Sequence, residues 1–128
     1  MFDLTGKNAI ITGSSKGIGK SIAMAMAKQG ANVVISSRKV DVCEATAEEI
    51  NNLKDKGAGK AIVIPCNISD KTALEMLVEE TRSQLGQIDI LVCNAATNPY
   101  FGSIKDITDD AFEKIMNNNI KSLSLIHI

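Results

Sequence analysis

A glycine-rich segment near the start of the chain has residue types that could hold a phosphate group. Gly13, Gly17 and Gly19 lie within Thr12–Gly19, which follows an apolar run and precedes a helical pattern. Glycines let the backbone turn sharply, and a helix start offers free N–H groups and the positive end of its dipole to an anion. An ordinary strand-to-helix turn could use the same glycines. The position after a first strand and before a helix favours a diphosphate-binding loop.

Two kinds of nucleotide-binding loop compete for this segment. Gly19-Lys20-Ser21 matches the end of a P-loop, but the first glycine of that pattern would fall at Ser14. A P-loop enzyme also needs an acidic residue late in a strand to hold magnesium, whereas Asp89 lies early in its predicted strand. We therefore favour a dinucleotide-binding loop.

A second segment could select the cofactor. Rossmann domains read the adenosine ribose at the end of the second strand, where an acidic residue binds the 2′-hydroxyl of NAD and an Arg accepts the 2′-phosphate of NADP. Here the sequence is Ile35–Lys39, which contains no acid. Ser37 could donate a hydrogen bond, Arg38 could bind bidentately, and Lys16 could approach the same phosphate. We expect NADP(H) in preference to NAD(H); the alternative is that Arg38 and Lys39 are solvated loop charges.

Four short apolar runs, rich in β-branched residues, predict the strands that position these segments. The runs are nearly continuous in apolar character, which is typical of strands buried on both faces of a parallel sheet. They are Ala9–Thr12, Val33–Ile35, Ile62–Ile64 and Ile88–Val92. The glycine loop directly follows the first run, and the basic segment follows the second.

Apolar residues at helical spacing predict four helices, each following one of the strands. The stretches are Ile18–Met26, Cys43–Leu53, Leu74–Leu85 and Phe112–Leu123. Thr108 is a candidate N-cap of the last one, and the long connection from Cys93 to Thr108 has the length of a functional loop. The predicted fold class is α/β, a Rossmann-type doubly wound parallel sheet of which the chain holds the first half only (β-α-β-α-β-α-β-α).

Composition excludes several classes of partner. The 128 residues carry 14 Lys and Arg against 15 Asp and Glu, a net charge of −1, so we expect no nucleic-acid partner. No apolar stretch reaches the roughly 20 residues of a membrane span, and the first residues lack the pattern of a secretion signal. We expect a cytoplasmic protein with no membrane partner.

The cysteines argue against a disulfide framework or a metal site. Cys43, Cys66 and Cys93 are odd in number and lie in no recognised motif spacing. Such usage fits a reducing compartment. Cys66 and Cys93 lie in apolar runs, and we expect both side chains to be buried as small hydrophobic groups.

The glycine spacing, Gly-x-x-x-Gly-x-Gly, carries a more specific resemblance. Thr12–Gly19 resembles the TGxxxGIG signature of the short-chain dehydrogenase/reductase family. In that family, basic residues at the positions of Lys16 and Arg38 are typical of members that prefer NADP(H). The resemblance implies cofactor contacts from Gly13, Ser15, Lys16, Gly17, Ile18 and Gly19.

The third strand is followed by Asn67 and Ile68, where the family usually has an Asp. That Asp accepts a hydrogen bond from the adenine amino group, and Asn retains a carbonyl oxygen for the same role. Within the family, Ser36–Lys39 and Asn94–Ser103 are similar to the carbonyl and retinal reductases of the dehydrogenase/reductase branch, and they equally resemble many bacterial members of unknown substrate.

After the fourth strand, Cys93–Ala96 resembles the family's NNAG motif and departs from it at its first and last positions. The resemblance implies that Asn94 orders the central sheet. It also implies that Ala95 and Ala96 are small enough for the backbone to lie against a ribose of the cofactor. This motif is mainly structural within the family.

Asn119 matches the family's catalytic Asn, which holds a water in a proton relay. It lies on the apolar stripe of its predicted helix, although a run of three Asn residues is by itself typical of a solvated surface. The family's catalytic Ser and Tyr-x-x-x-Lys have no counterpart: the single Tyr is Tyr100, and the position four residues later is Ile104. We interpret His127 as a bystander.

We assign residues 1–122 to a truncated NADP-binding Rossmann domain and expect residues 123–128 to be a tail that need not be native. The resemblance implies an oxidoreductase that moves hydride between nicotinamide and a carbonyl or alcohol substrate, with a full-length parent that forms a homodimer or homotetramer. We expect this chain alone to be inactive. The alternative is a non-catalytic nucleotide-binding domain, and a downstream Ser and Tyr-x-x-x-Lys would discriminate between the two.

Overall fold

Four parallel strands form one sheet in the computed structural model, which describes residues 2–53 and 55–126. The strand order is β3-β2-β1-β4. The strands are β1 (Asn8–Thr12), β2 (Asn32–Ser36), β3 (Ala61–Val63) and β4 (Ile90–Val92). The predicted α/β class is confirmed, while the last two strands are shorter or shifted by a residue relative to the apolar runs.

The central strands are buried on both faces, which explains their continuous apolar sequence. Ile11 and Ile35 belong to the core on one face of the sheet. Ile10 and Val34 belong to the core on the other face, because successive side chains of a strand point to opposite sides. A polar residue at any of these positions would therefore be buried.

Helices cover both faces of the sheet. They are α1 (Gly17–Lys28), α2 (Val40–Asn51), α3 (Lys71–Leu85), α4 (Asp109–Met116) and α5 (Ser122–Leu125). Buried residues of α1 and α2 pack in one core, and those of α3 pack in the other with Leu125 of α5. This is the doubly wound arrangement that the alternating pattern predicts.

The last predicted helix is interrupted. Its N-cap is confirmed, because Thr108 Oγ1 accepts a hydrogen bond from the Ala111 N–H. The helix predicted over Phe112–Leu123 is present but is not α-helical throughout: a π-helical segment, Asn117–Lys121, separates α4 from α5. Such segments hold one extra residue per turn and occur often at functional sites.

One face of this interrupted helix is apolar and exposed. Phe112, Met116, Ile120 and Leu123 are each between 41% and 57% exposed. Their spacing places them along one side of the helix. None of the helices in the described part of the chain is long and apolar enough to span a membrane.

The strand order fixes where a ligand can bind. The chain moves outward from β1 to β2 and β3, and then returns to place β4 on the other side of β1. The connections leaving β1 and β4 therefore diverge at the carboxyl ends of neighbouring strands. In open α/β sheets, ligands bind in the crevice at this switch point.

Candidate cofactor-binding site

A cleft of about 380 Å³ lies at the carboxyl ends of the strands. All four strands contribute to it through the residues that end or follow them. The cleft is lined by Thr12, Gly13, Ser15, Lys16, Gly17, Ser36, Ser37, Arg38, Cys66, Asn67, Ile68, Asn94, Ala95, Ala96, Thr97 and Asn118.

The glycine loop forms the wall between β1 and α1. Gly13 and Gly17 have φ angles of +66° and +60°, which favour glycine. A Cβ on Gly19 would lie 2.3 Å from the Gly13 carbonyl oxygen, so the tight packing of α1 against the loop also requires glycine. Lys16 is the N-cap of α1, and its side chain makes no capping hydrogen bond. This helix start is therefore suited to an anion.

Asn94 joins the end of β4 to the glycine loop. Its Nδ2 donates to the backbone oxygens of Thr12 and Gly13, each at 3.1 Å. Thr12 Oγ1 in turn accepts from the backbone N–H groups of Asn94 and Ala95, each at 3.1 Å. Two side chains thus hold together the two connections that diverge at the switch point.

We expect Thr12→Val to lower the free energy of unfolding by about 2 kcal/mol, because valine has nearly the same shape but cannot accept these hydrogen bonds. The Ala95 N–H would then lack its partner. Chemical denaturation measures the change. Thr12→Ser, which keeps the hydroxyl, should lose less, and equal losses in the two variants would contradict the role of the hydroxyl.

The end of β2 forms the basic rim. Arg38 is exposed and Ser37 half-buried, and both line the cleft with Lys16. Ser37 Oγ accepts from the Lys39 N–H at 3.3 Å and lies 3.1 Å from Cys43 Sγ, which is fully buried in α2. No Asp or Glu is among the cleft-lining residues in the described part of the chain. The rim therefore favours a negatively charged group.

Helix α2 also supports the glycine loop directly. Thr46 Oγ1 donates to the Ser15 carbonyl at 2.7 Å in a buried contact. Ser14 bonds with Ser36 twice, through its N–H to the Ser36 carbonyl and through its Oγ to the Ser36 N–H. The loop is thus fixed to both β2 and α2.

Asn67 forms a turn after β3. Its Oδ1 accepts from the Ser69 N–H at 3.1 Å and from Ser69 Oγ at 2.8 Å. This is the oxygen that sequence reasoning assigns to the adenine amino group. The assignment stays a prediction, and the oxygen already has two internal donors.

The π-helical segment reaches the cleft through Thr97. Asn119 Oδ1 accepts from the Thr97 N–H, and Asn119 Nδ2 donates to the Thr97 carbonyl, both at 2.8 Å. Asn118 Nδ2 donates to Thr97 Oγ1 at 2.9 Å. Ser122 Oγ donates to the Asn118 carbonyl oxygen. Two consecutive amides therefore fasten one residue of the long connection.

The structure brings most of the predicted cofactor-binding residues together in the cleft. The exceptions are Ile18, which is 75% exposed, and Gly19, which is buried behind the loop. Asn119 lies behind Thr97 and does not line the cleft itself. His127 lies outside the described residues.

Sequence reasoning missed several lining residues: Thr12, Ser36, Cys66, Thr97 and Asn118. The position of Thr12 and Ser36 at the ends of β1 and β2, and of Cys66 shortly after β3, could have indicated these three. No signal indicated Asn118, because a run of Asn residues is typical of surface. No cluster of His, Cys, Asp and Glu suited to a metal ion occurs among residues 2–53 and 55–126.

The cysteines differ in their surroundings. Cys66 is buried, as predicted, and burial together with the nearby Asp70 carboxylate raises the pKa of its thiol to about 11. The prediction for Cys93 is wrong, because its side chain is exposed. Cys93 follows β4, which has a strand neighbour on only one side in the described sheet.

We expect a thiol reagent such as iodoacetamide, used near neutral pH, to modify Cys93 while sparing Cys66 and Cys43. Mass spectrometry of peptides gives the extent at each site. Modification of Cys66 at a rate similar to that of Cys93 near neutral pH would contradict the expected protection of Cys66.

Because the pKa of Cys66 rises from 9.0 to about 11 on folding, the stability due to its neutral thiol is complete below pH 9.0 and is lost as pH approaches 11.

The fold and the cleft together define a class of protein. A parallel α/β sheet, a glycine loop at an uncapped helix start and a crevice at the switch point are the features of a Rossmann-type dinucleotide-binding domain, present here as its first half.

Comparison with known proteins gives the family. A model of the short chain dehydrogenase family matches residues 7–127. Dehydrogenase/reductase SDR family member 4 of Oryctolagus cuniculus is 40% identical over 124 residues, which are 96% of this chain and 46% of that relative. The chain therefore belongs to the short-chain dehydrogenase/reductase family, whose members are oxidoreductases with a nicotinamide cofactor. The resemblance seen in the glycine loop is confirmed.

Similar solved structures belong to the same family. A short-chain type dehydrogenase/reductase from Mycobacterium marinum has a TM-score of 0.89 at 35% identity, covering 98% of this chain and 49% of that one. A metagenomic short-chain oxidoreductase in complex with NADP has a TM-score of 0.88 at 28% identity, covering 97% and 54%. The chain thus spans about half the length of the proteins it matches.

Proposed function

We propose that this chain binds NADP(H), in preference to NAD(H), as the cofactor-binding half of a short-chain oxidoreductase. The observation that carries the proposal is the basic rim at the end of β2. Lys16, Ser37 and Arg38 line one cleft that has no acidic lining residue in the described part of the chain. A 2′-phosphate would meet two cations and a hydroxyl there, and no carboxylate would repel it.

The remaining lining fits the rest of the cofactor. The glycine loop and the uncapped start of α1 suit a diphosphate, and a Cβ on Gly13 would meet Ala95 and Asn94 at 3.0 Å. Asn94, Ala95 and Ala96 continue the wall at the end of β4. When bound, the nicotinamide cofactor supplies or accepts a hydride. The residues of this chain bind and orient it.

We propose that Asn119 keeps the family role of a catalytic Asn in the full enzyme. Its side-chain amide is bonded at both ends to the backbone of Thr97, which holds the long connection against the π-helical segment. The Asn119 side chain thus fixes the local backbone. We further propose a small-molecule carbonyl or alcohol as the substrate.

Titration of the purified chain with NADPH and NADH, followed by reduced-nicotinamide fluorescence, tests the cofactor proposal. We expect NADPH to bind at least about tenfold more tightly, which corresponds to one charge-assisted contact. Raising the ionic strength should weaken NADPH binding more than NADH binding. Equal affinity, or a preference for NADH, would contradict the proposal.

We expect the 128-residue chain to bind cofactor without turnover. The sequence holds no Tyr-x-x-x-Lys, and the Tyr100 hydroxyl, which lies outside the cleft lining, donates to the Ser103 carbonyl at 2.8 Å. For this chain by itself, these observations favour the second candidate, a nucleotide-binding unit that does no chemistry. Loss of NADPH absorbance with a panel of ketones and aldehydes, above a no-protein control, would contradict the expectation.

The assembly of the full-length parent as a homodimer or homotetramer is also a proposal. The exposed apolar side formed by Phe112, Met116, Ile120 and Leu123 supports it, because such a side is suited to burial against a partner. The cytoplasmic location and the division of the chain after residue 122 stay predictions.

A further inference from the structure

We propose that Asn118 reads the adenine base of the cofactor, with its side-chain oxygen accepting a hydrogen bond from the exocyclic amino group. The inference rests on the proposed binding of NADP(H). Recognition of the base is thereby assigned to a residue in a run of three Asn residues, a pattern that by itself predicts a solvated surface.

The first support is an unpaired buried oxygen. Asn118 is only 7% exposed, and its Nδ2 is engaged by Thr97 Oγ1 at 2.9 Å. Its Oδ1 is the one buried side-chain oxygen or nitrogen without a hydrogen-bond partner in residues 2–53 and 55–126. A buried acceptor without a donor is unfavourable, so a ligand that brings a donor gains from it.

The second support is location. The adenosine ribose is read at the end of β2, and β3 is the next strand outward, so the adenine base extends toward the end of β3. Asn67 and Ile68, which follow β3, line the cleft together with Asn118. Asn118 also lines an adjoining cavity with Ser69. The π-helical segment thus meets the end of β3 at the adenine side of the cleft.

The third support is the absence of a free oxygen on Asn67. Both hydrogen bonds that its Oδ1 normally accepts come from Ser69. The exocyclic amino group of adenine is a donor and needs an acceptor. Because the Thr97 contact occupies the Asn118 nitrogen, the end of the Asn118 amide left unpaired is the acceptor.

The hypoxanthine analogue of NADPH tests this assignment, since it differs from NADPH by an oxo group in place of the amino group. We expect the wild-type chain to bind NADPH at least about fivefold more tightly than the analogue. The oxo group of the analogue and Asn118 Oδ1 are both acceptors, so no hydrogen bond can form between them. In Asn118→Leu, which keeps the branching of the side chain and removes the acceptor, this ratio should fall to near one. In the exposed neighbour variant Asn117→Leu, the ratio should stay at the wild-type value.

Each outcome has one meaning. Absence of NADPH binding by the wild-type chain would overturn the proposed function. NADPH binding with no discrimination against the analogue would overturn the role of Asn118 alone, even if Asn118→Leu failed to fold. A ratio lost in Asn67→Leu but kept in Asn118→Leu would reassign base recognition to Asn67. Thermal melting of each variant separates a loss of folding from a loss of recognition.

Discussion

Replacing Gly19 by alanine is expected to abolish detectable NADPH binding and to lower the free energy of unfolding by about 3 kcal/mol or more. A Cβ there would lie 2.3 Å from the Gly13 carbonyl oxygen, 2.6 Å from Asn94 Nδ2 and 2.9 Å from the Gly13 carbonyl carbon. Two of these three atoms are backbone, so no rotamer change relieves the contact. The glycine loop must therefore move away from α1, and the diphosphate site changes shape.

Urea denaturation and NADPH titration of the Gly19→Ala chain measure the two effects. Gly57→Ala is a control for backbone strain alone, because Gly57 has a positive φ, unlike Gly19, and no atom lies within 4 Å of a Cβ at that position. It should cost about 1 kcal/mol through backbone strain and leave NADPH affinity unchanged. A Gly19→Ala chain with wild-type stability and affinity would show that the close packing of loop and helix is not required.

Arg38→Glu is expected to weaken NADPH binding at least about 100-fold while changing NADH binding by less than about threefold. The substitution removes a guanidinium from the cleft rim and places a carboxylate where a 2′-phosphate would lie. A carboxylate at this position is also the feature that suits the 2′-hydroxyl of NAD. The preference between cofactors should therefore reverse.

Lys39→Glu is the matched control for this reversal. Lys39 is the next residue along the chain, is exposed, and does not line the cleft. Its substitution changes the net charge by the same amount as that of Arg38, so a general electrostatic effect would appear equally in both variants. If Lys39→Glu weakened NADPH binding as much as Arg38→Glu, the rim would be acting through overall charge and not through a specific contact.

The strands and most of the cleft could be predicted because local sequence determines them. Strands such as β1 are buried on both faces, and that burial leaves a continuous apolar run that few other structures produce. The lining residues mostly follow strand ends, so once the strands are placed, the position of Ser37, Asn67 or Asn94 follows from chain order alone.

The parts that sequence reasoning missed depend on contacts between distant residues. The apolar stripe from Phe112 to Leu123 contains no signal for a π-helical segment, and Asn118 is buried because Thr97, far away in sequence, lies against it. Cys93 looked buried because its neighbours are apolar, yet its exposure depends on which strands flank β4. Sequence patterns report on residues that are neighbours along the chain and not on contacts between residues that are distant in sequence.

The π-helical segment also sets a constraint on chain length. Consecutive residues of an α-helix point about 100° apart, and the wider π-helical turn makes this angle smaller where Asn118 and Asn119 both contact Thr97. Deleting a single residue between Met116 and Asn118 would restore the α-helical register and rotate one amide away. Substitutions can change the chemistry of the contact between Thr97 and the π-helical segment. Insertion or deletion of one residue would separate Asn118 or Asn119 from Thr97. We therefore expect natural variation at this site to occur by substitution and not by changes in length.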